Sequence, residues 1–274
     1  MNFLKSISKV YLAVILLGLL LSCSCSNQSE AMKPPETNLN TKYVLLSADL
    51  LKAVKTKNQS EVSAIRSTLK SVHVDSLANT LKTEAQKKAF WINVYNAHIQ
   101  ILLADNPSLF DDRGKFFGAP RVTIAENKLS FDDIEHGIIR SSKIKISLGL
   151  LRNPFASSYE KKFRTKETDG RVHFALNCGA KSCPLVAIYE AENFDQKIDR
   201  VAKSFLQKVS TYKPDENKVI TTPLFSWFRG DFNGKKGILN YLKKYEVIPK
   251  GKKPSITYDN YDWTLSLGNY YESN

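Results

Sequence analysis

No glycine-rich phosphate loop, no GxSxG turn and no HExxH pair occurs anywhere in the 274 residues. P-loop nucleotide chemistry, serine hydrolysis on a nucleophile elbow and zincin-type proteolysis therefore have no local support. No segment repeats at a solenoid period and no low-complexity tract interrupts the chain, so neither a repeat array nor a disordered protein is expected. Acidic residues fall short of basic ones, 27 Asp and Glu against 40 Lys and Arg, for a formal net charge of +13. The lysines are scattered, as in "KKF" at 161 and "PKGKK" at 249, and no basic stripe is interleaved with aromatics. Nucleic acid is not an expected partner; attraction to an anionic membrane surface is the simpler meaning of the charge. No motif calls for a cofactor, and none is expected.

Long apolar runs are also scarce. The one at the start, "VYLAVILLGLL" from Val10, follows Lys5 and Lys9. It is too short for a settled membrane-spanning helix and has the length of a signal-peptide core. It runs into "LLSC" at 20–23, which resembles the lipobox of bacterial lipoproteins, with Leu20 at −3, Ser22 at −1 and then Cys23. Cys25 fits less well, because its −3 residue is Ser22. The resemblance implies cleavage before Cys23, acylation of that residue, and an exported lipoprotein anchored to a membrane of the bacterial cell envelope. Removal of residues 1–22 takes away two lysines and no acid, so +13 becomes +11. Residues 23–40, polar and carrying a Pro-Pro step, read as the acylated cysteine and a flexible tether. The expected globular domain is 41–274, and at 42% hydrophobic residues the chain can bury an ordinary core.

Helical spacing marks "KYVLLSADLLKAV" and "SEVSAIRSTLKSV". "SLANTLKTEAQKKAFWINVYNAHIQILLAD" predicts one or two helices that stop near Asn106-Pro107. "RVTIAENKLS" predicts a hairpin, and Ser130 with Asp133 three residues on predicts a capped helix start. Residues 141–170 read as an irregular surface excursion. "RVHFALNC" alternates and predicts a central strand. "SCPLVAIYEAENF" predicts a short helix with Ser182 as N-cap and Pro184 in its first turn. "FDQKIDRVAKSFLQKV" predicts an amphipathic helix, "NKVITT" a strand, "KKGILNYLKKY" a helix and "SITYDNYDWTLSL" a closing strand. The fold class these imply is α+β: a single domain with N-terminal helices packed on a small mixed or antiparallel sheet, with further helices.

Five blocks in order, "KKAFWINVYNAHI", "LSFDDIEHGIIR", "RVHFALNCGAKSCPLVAIY", "LFSWFRGDF" and "YDWTLSL", resemble the DUF547 family and span residues 88–267. The resemblance implies an architecture and a set of candidate residues, but no activity. The chain departs from the family at Leu185, where a second proline often follows "SCP", and in the length of the excursion before Arg171.

Within the blocks, Asn93, Asn96 and Gln100 share one stripe of an otherwise apolar helix. Three buried amides need partners, either neighbouring backbone or a bound ligand. Asp132, His136 and Arg140 recur at every fourth position on one helical face, and Glu135 adjoins His136. In a regular strand His173 and Asn177 point one way and Cys178 the other, so His173 would serve the returning loop at Cys183. A helix start at Cys183 would favour its thiolate.

Four readings of Cys178 and Cys183 stay open: a structural disulfide, a thiol nucleophile, two cysteines with neither role, and a zinc site completed by histidine. Trp227, Arg229, Asp231, Asp262 and Trp263 suggest core packing with a buried ion pair, or the rim of a sugar or peptide site. Two functions follow. One is a thiol-dependent hydrolase or acyltransferase acting on envelope peptides or amides. Cys178 or Cys183 would be the nucleophile, His173 or His136 the base, and Glu135 or Asn96 the orienting group. The other is a non-catalytic module binding an envelope peptide or glycan through Asn93, Asn96, Gln100, Asn177 and Arg140.

Overall fold

Apolar residues at helical spacing build α1 over Lys42–Lys55 and α2 over Gln59–Ser71, the latter capped by the Asn58 side chain. A short α3 over Val74–Thr80 leads to α4 over Glu84–Asp105. Thr83 and Gln86 form a capping box at the start of α4, and Pro107 follows its end at Asn106. Almost every residue of α4 is buried, which makes it the axis around which α1 and the later segments pack. The computed structural model describes residues 41–272. The expected signal peptide, Cys23 and the tether lie outside the described residues.

After α5 (Arg113–Gly118) comes the expected hairpin, β1 over Val122–Ile124 antiparallel to β2 over Asn127–Leu129. Its turn residues Ala125 and Glu126 both take positive φ, 49° and 61°, the mirror-image turn that suits a two-residue hairpin. No glycine supplies that conformation. Instead the Leu69 and Lys70 carbonyls at the end of α2 accept the two turn N–H groups at 2.9 and 2.8 Å.

The Ser130–Asp133 cap forms as expected, each residue's backbone N–H donating to the other's side chain. The helix it starts is widened, however, a π-helix over Asp133–Ile139. Arg140 N–H reaches the Glu135 carbonyl and Ser142 N–H the Gly137 carbonyl, each five residues back. Residues 141–170 are irregular apart from a 3-10 turn and α6 over Ser158–Phe163.

Two expectations fail here. "RVHFALNC" is not a strand: Gly170–Phe174 form a 3-10 helix and the chain then loops. Alternation signals a strand only when one face meets solvent, whereas Val172 through Asn177 are buried without a break. "SCPLVAIYEAENF" is not a helix either. Residues 182–193 run without helical structure, with a bridge from Val186 to Tyr270 and one from Ala180 to Leu265 just before them, and Ser182 Oγ accepts the Asp262 N–H instead of capping a helix.

α7 (Phe194–Val209), α8 (Leu224–Trp227) and α9 (Gly234–Lys244) pack a second apolar cluster around Phe174, Phe225 and Phe232. Beside it β3 (Thr211–Lys213) pairs antiparallel with β4 (Lys218–Thr221), and β4 pairs parallel with β5 (Ser255–Tyr258), the only strand formed by the expected closing segment. Helices with a two-stranded and a three-stranded sheet make the domain α+β. Among the described residues, no helix is long and apolar enough to cross a membrane.

The loop after the 3-10 helix is held to α4 by side-chain amides. Asn93 donates to the Tyr189 carbonyl at 2.8 Å and accepts its N–H at 3.0 Å. Asn96 donates to the Ala175 carbonyl and accepts the Asn177 N–H, both at 2.9 Å. Gln100 accepts the Gly268 N–H, and Asn177 ties Gly179 to Pro184. These amides do for an irregular segment what a neighbouring strand does in a sheet.

Asn96→Ala leaves the Ala175 carbonyl and the Asn177 N–H buried without partners, at about 1–3 kcal/mol each. Urea denaturation should show a loss of about 2–6 kcal/mol in unfolding free energy. A loss below about 1 kcal/mol would mean that other contacts hold the loop.

Candidate functional site

A cavity of about 260 Å³ opens where the π-helix, the 3-10 helix, α8 and the C-terminal segment meet. Its lining includes Glu135, His136, His173 and Cys178 together with Trp227, Phe228, Tyr261 and Trp263. Trp227 and Trp263 stack at 5.8 Å, with Tyr261 against both.

The polar side rests on an ion pair with no solvent exposure at either side chain, Arg140 Nε to Asp231 Oδ2 at 2.6 Å. Two histidines complete it. Arg140 Nη1 donates to His136 Nδ1 at 2.7 Å, and His173 Nε2 meets the same Asp231 oxygen at 2.8 Å. Phe228 stacks on the His173 ring at 3.8 Å and also lies under the Arg140 guanidinium. Burial tends to raise Asp231, but hydrogen bonds and charge from His173 and Arg140 outweigh it and hold the carboxyl below its usual range. An ionised Asp231 accepts, so His173 donates through Nε2. His173 Nδ1 has no hydrogen-bond partner among the described residues.

Burial lowers His173 and, aided by the Arg140 charge, lowers His136 to about 3. Both rings are neutral near pH 7. His136, accepting at Nδ1 from Arg140, presents Nε2 toward Asp132 at 3.5 Å. Glu135 accepts from the Tyr95 hydroxyl at 3.2 Å.

The cysteines are unbonded thiols whose sulfurs lie 2.7 Å apart. Cys183 Sγ also takes the Cys178 backbone N–H at 3.1 Å and the Tyr261 hydroxyl at 3.2 Å. The hydrogen bond to Cys183, then burial, pushes the Cys178 thiol well above its usual range. Burial acts against ionisation of Cys183, but the hydrogen bonds from Cys178, Tyr261 and the backbone prevail and lower it. The expected cause, a helix N-terminus at Cys183, is absent; donors from the loop and from Tyr261 replace it.

Of the residues the sequence singles out, Cys178, His173, His136 and Glu135 meet at the cavity. Cys183 opens on a neighbouring cavity beside Lys181 and Ser204. Arg140 lies beneath, and Asn93, Asn96 and Asn177 do not line the cavity because backbone groups take up their amides. Gln100 lines a different hollow. Asn96 therefore orients the loop and not an imidazole, and Glu135 bonds Tyr95. Asp231 is the carboxylate that orients His173, a role that sequence reasoning missed. It stands in the block "FSWFRGDF", but nothing local signals its pairing with a histidine 58 residues away. Among the described residues, no group of three or more His, Cys, Asp or Glu side chains converges as a metal site requires.

Residues 79–206 match the family model described as "Protein of unknown function, DUF547". The chain carries a DUF547 domain. The blocks containing Asp231 and Tyr261 fall beyond the matched range, yet they supply Leu224, Trp227, Phe228, Tyr261 and Trp263 to the lining of the same cavity. No curated protein and no solved structure matches the chain.

The buried histidines set a pH dependence. His98, which donates from Nδ1 to the Val94 carbonyl, is lowered by burial from 6.5 to about 4, and His136 to about 3. The unfolded chain binds more protons than the folded one between pH 6.5 and those values, so stability falls as pH drops through that window. Urea midpoints measured from pH 7 to pH 4 should decline, and His98→Gln should flatten the slope. An unchanged slope would show that His98 binds its proton alike in the folded and unfolded chain.

Proposed function

We propose that this chain, with its DUF547 domain, is a thiol-dependent hydrolase or acyltransferase of the bacterial envelope, with Cys178 as nucleophile and His173 as base. The observation that carries the reading is the 2.8 Å hydrogen bond between His173 and Asp231 at the wall of a cavity that Cys178 also lines. A neutral imidazole oriented by a carboxylate, with its second nitrogen unpartnered, is the arrangement a general base needs. Because Cys178 is held as a thiol, it needs that base to react near neutral pH.

In the step we infer, His173 Nδ1 takes the Cys178 Sγ proton as sulfur bonds to the carbonyl carbon of an amide or ester. The C–N or C–O bond then breaks, and the proton passes to the departing nitrogen or oxygen. Water or a second amine attacks the thioester, releases the acyl group and returns the proton to Cys178. The Trp227–Tyr261–Trp263 wall offers flat apolar faces to a peptide or sugar next to the scissile bond.

A second reading rests on one distance. At 2.7 Å the two sulfurs are nearer to the bonded separation of about 2.05 Å than to ordinary contact, and an oxidising compartment would close them into a disulfide.

We also infer that Cys23 is acylated and tethers the domain to the membrane, from its place after "LLS" and the apolar run. Metabolic labelling with palmitate should mark the wild-type chain and leave Cys23→Ser unlabelled. Equal labelling of the two would remove acylation of Cys23 from the account.

One experiment separates the two readings of the thiols. The full chain, purified without reductant, is treated with p-nitrophenyl acetate and mapped by peptide mass spectrometry. The hydrolase reading expects an acetyl group on Cys178, with His173→Gln slowing its formation by about 10²–10⁴-fold and Asp231→Asn also slowing it. A Cys178–Cys183 disulfide that survives native purification and blocks acetylation supports the clip. Acetylation of Cys178 at the rate of a free thiol sinks the hydrolase.

A further inference from the structure

Among the described residues, five of the eight exposed large hydrophobic residues fall within one ten-residue stretch: Ile146 at 89%, Leu148 at 39%, Leu150 at 67%, Leu151 at 62% and Phe155 at 89%. Single exposed apolar residues are ordinary, but a contiguous group is not. The stretch is an ordered loop. Ile144 N–H donates to the Leu151 carbonyl at 3.0 Å, Asn153 N–H to the Ser142 carbonyl at 2.6 Å, and Lys143 bridges Arg152. Its base is pinned to the candidate site. Gly230 N–H donates to the Leu148 carbonyl at 2.7 Å, and a Cβ on Gly149, where φ is +81°, would collide with the Asp231 carboxylate. A hydrogen-bonded neck with apolar side chains turned outward is built to present them.

The charge carried by the loop itself has one sign. No acidic residue occurs between Glu135 and Glu160, while Lys143, Lys145 and Arg152 flank the apolar tips. Lys145 also bonds Asp132 at the cavity rim. A second protein chain burying this patch would have to match both the apolar tips and the cationic collar. An anionic bilayer does so without specific contacts: acyl chains receive Ile146, Leu150 and Phe155, and phosphate headgroups receive the lysines and arginine.

We propose that the 144–155 loop is a membrane-docking element that inserts its apolar tips into an anionic lipid surface. The proposal depends neither on the chemistry assigned to Cys178 nor on acylation of Cys23. If it holds, the loop brings the rim of the cavity, through Lys145, to the headgroup layer.

The test uses the full chain on vesicles of phosphatidylcholine and phosphatidylglycerol in equal parts, doped with a lipid carrying a diazirine on its acyl chain. After photolysis, adducts are mapped by peptide mass spectrometry. Adducts on residues 144–155 are expected. They should fall by about tenfold or more in the double variant Ile146→Ser/Phe155→Ser, and also on vesicles of phosphatidylcholine alone. Both substituted side chains are exposed, so folding should not change, which circular dichroism checks. Adducts confined to residues 1–40 would mean that an N-terminal tether alone holds the protein, and would overturn the proposal. A concentration-dependent dimer that the double variant abolishes would assign the patch to a second copy, and would overturn it equally.

Discussion

The Arg140–Asp231 ion pair is the contact on which the site depends. It joins the end of the π-helix to the segment after α8, and through His173 it also reaches the 3-10 helix. Two charges with no exposure are costly to desolvate and are tolerated only when hydrogen bonds surround them. Here His136 takes one guanidinium nitrogen and His173 adds to the carboxylate. The same pair that organises the fold locally therefore also orients both imidazoles. Burial, with the Arg140 charge beside Nδ1, keeps His136 neutral. His173 is a donor at Nε2 because Asp231 is ionised. The glycines at 149 and 230 let backbone approach this pair closely, which ties the exposed loop to it.

The second constraint is the amide clamp on α4. A buried irregular segment must satisfy its backbone groups, and residues 179–186 do so in part against the extended 262–271 segment, through the bridges at Ala180–Leu265 and Val186–Tyr270. Asn93, Asn96 and Asn177 satisfy further groups from the α4 side, so the loop carrying Cys178 and Cys183 has a definite shape without being a regular strand or helix. The clamp and the ion pair act on the two ends of one stretch. His173 is held from the Asp231 side and Asn177 from the α4 side, and Cys178 follows directly after Asn177 in the cavity lining.

The two largest departures from the sequence expectation lie in this same stretch. Alternation in "RVHFALNC" carried no information about a strand because every position from Val172 to Asn177 is enclosed. Pro184 and Ser182 marked a helix start that did not form, because Ser182 is engaged by Asp262 from 80 residues away. Local signals succeeded where the partners were local. Ser130 with Asp133 closes over three residues, and the expected cap is present.

The sequence by itself determined the α+β class, the helices α1, α2, α4, α7 and α9, the hairpin, and the short list that includes Cys178, His173, His136 and Glu135. These follow from periodicity and capping, whose range is a few residues. Only the tertiary structure decided which carboxylate serves His173, that the π-helix turns His136 toward Arg140, and that Tyr261 reaches Cys183 across 78 residues. Those pairings depend on burial, which makes an ion pair or a shared thiol proton strong enough to shape the site. Burial is a property of the packed chain, and no window of sequence contains it.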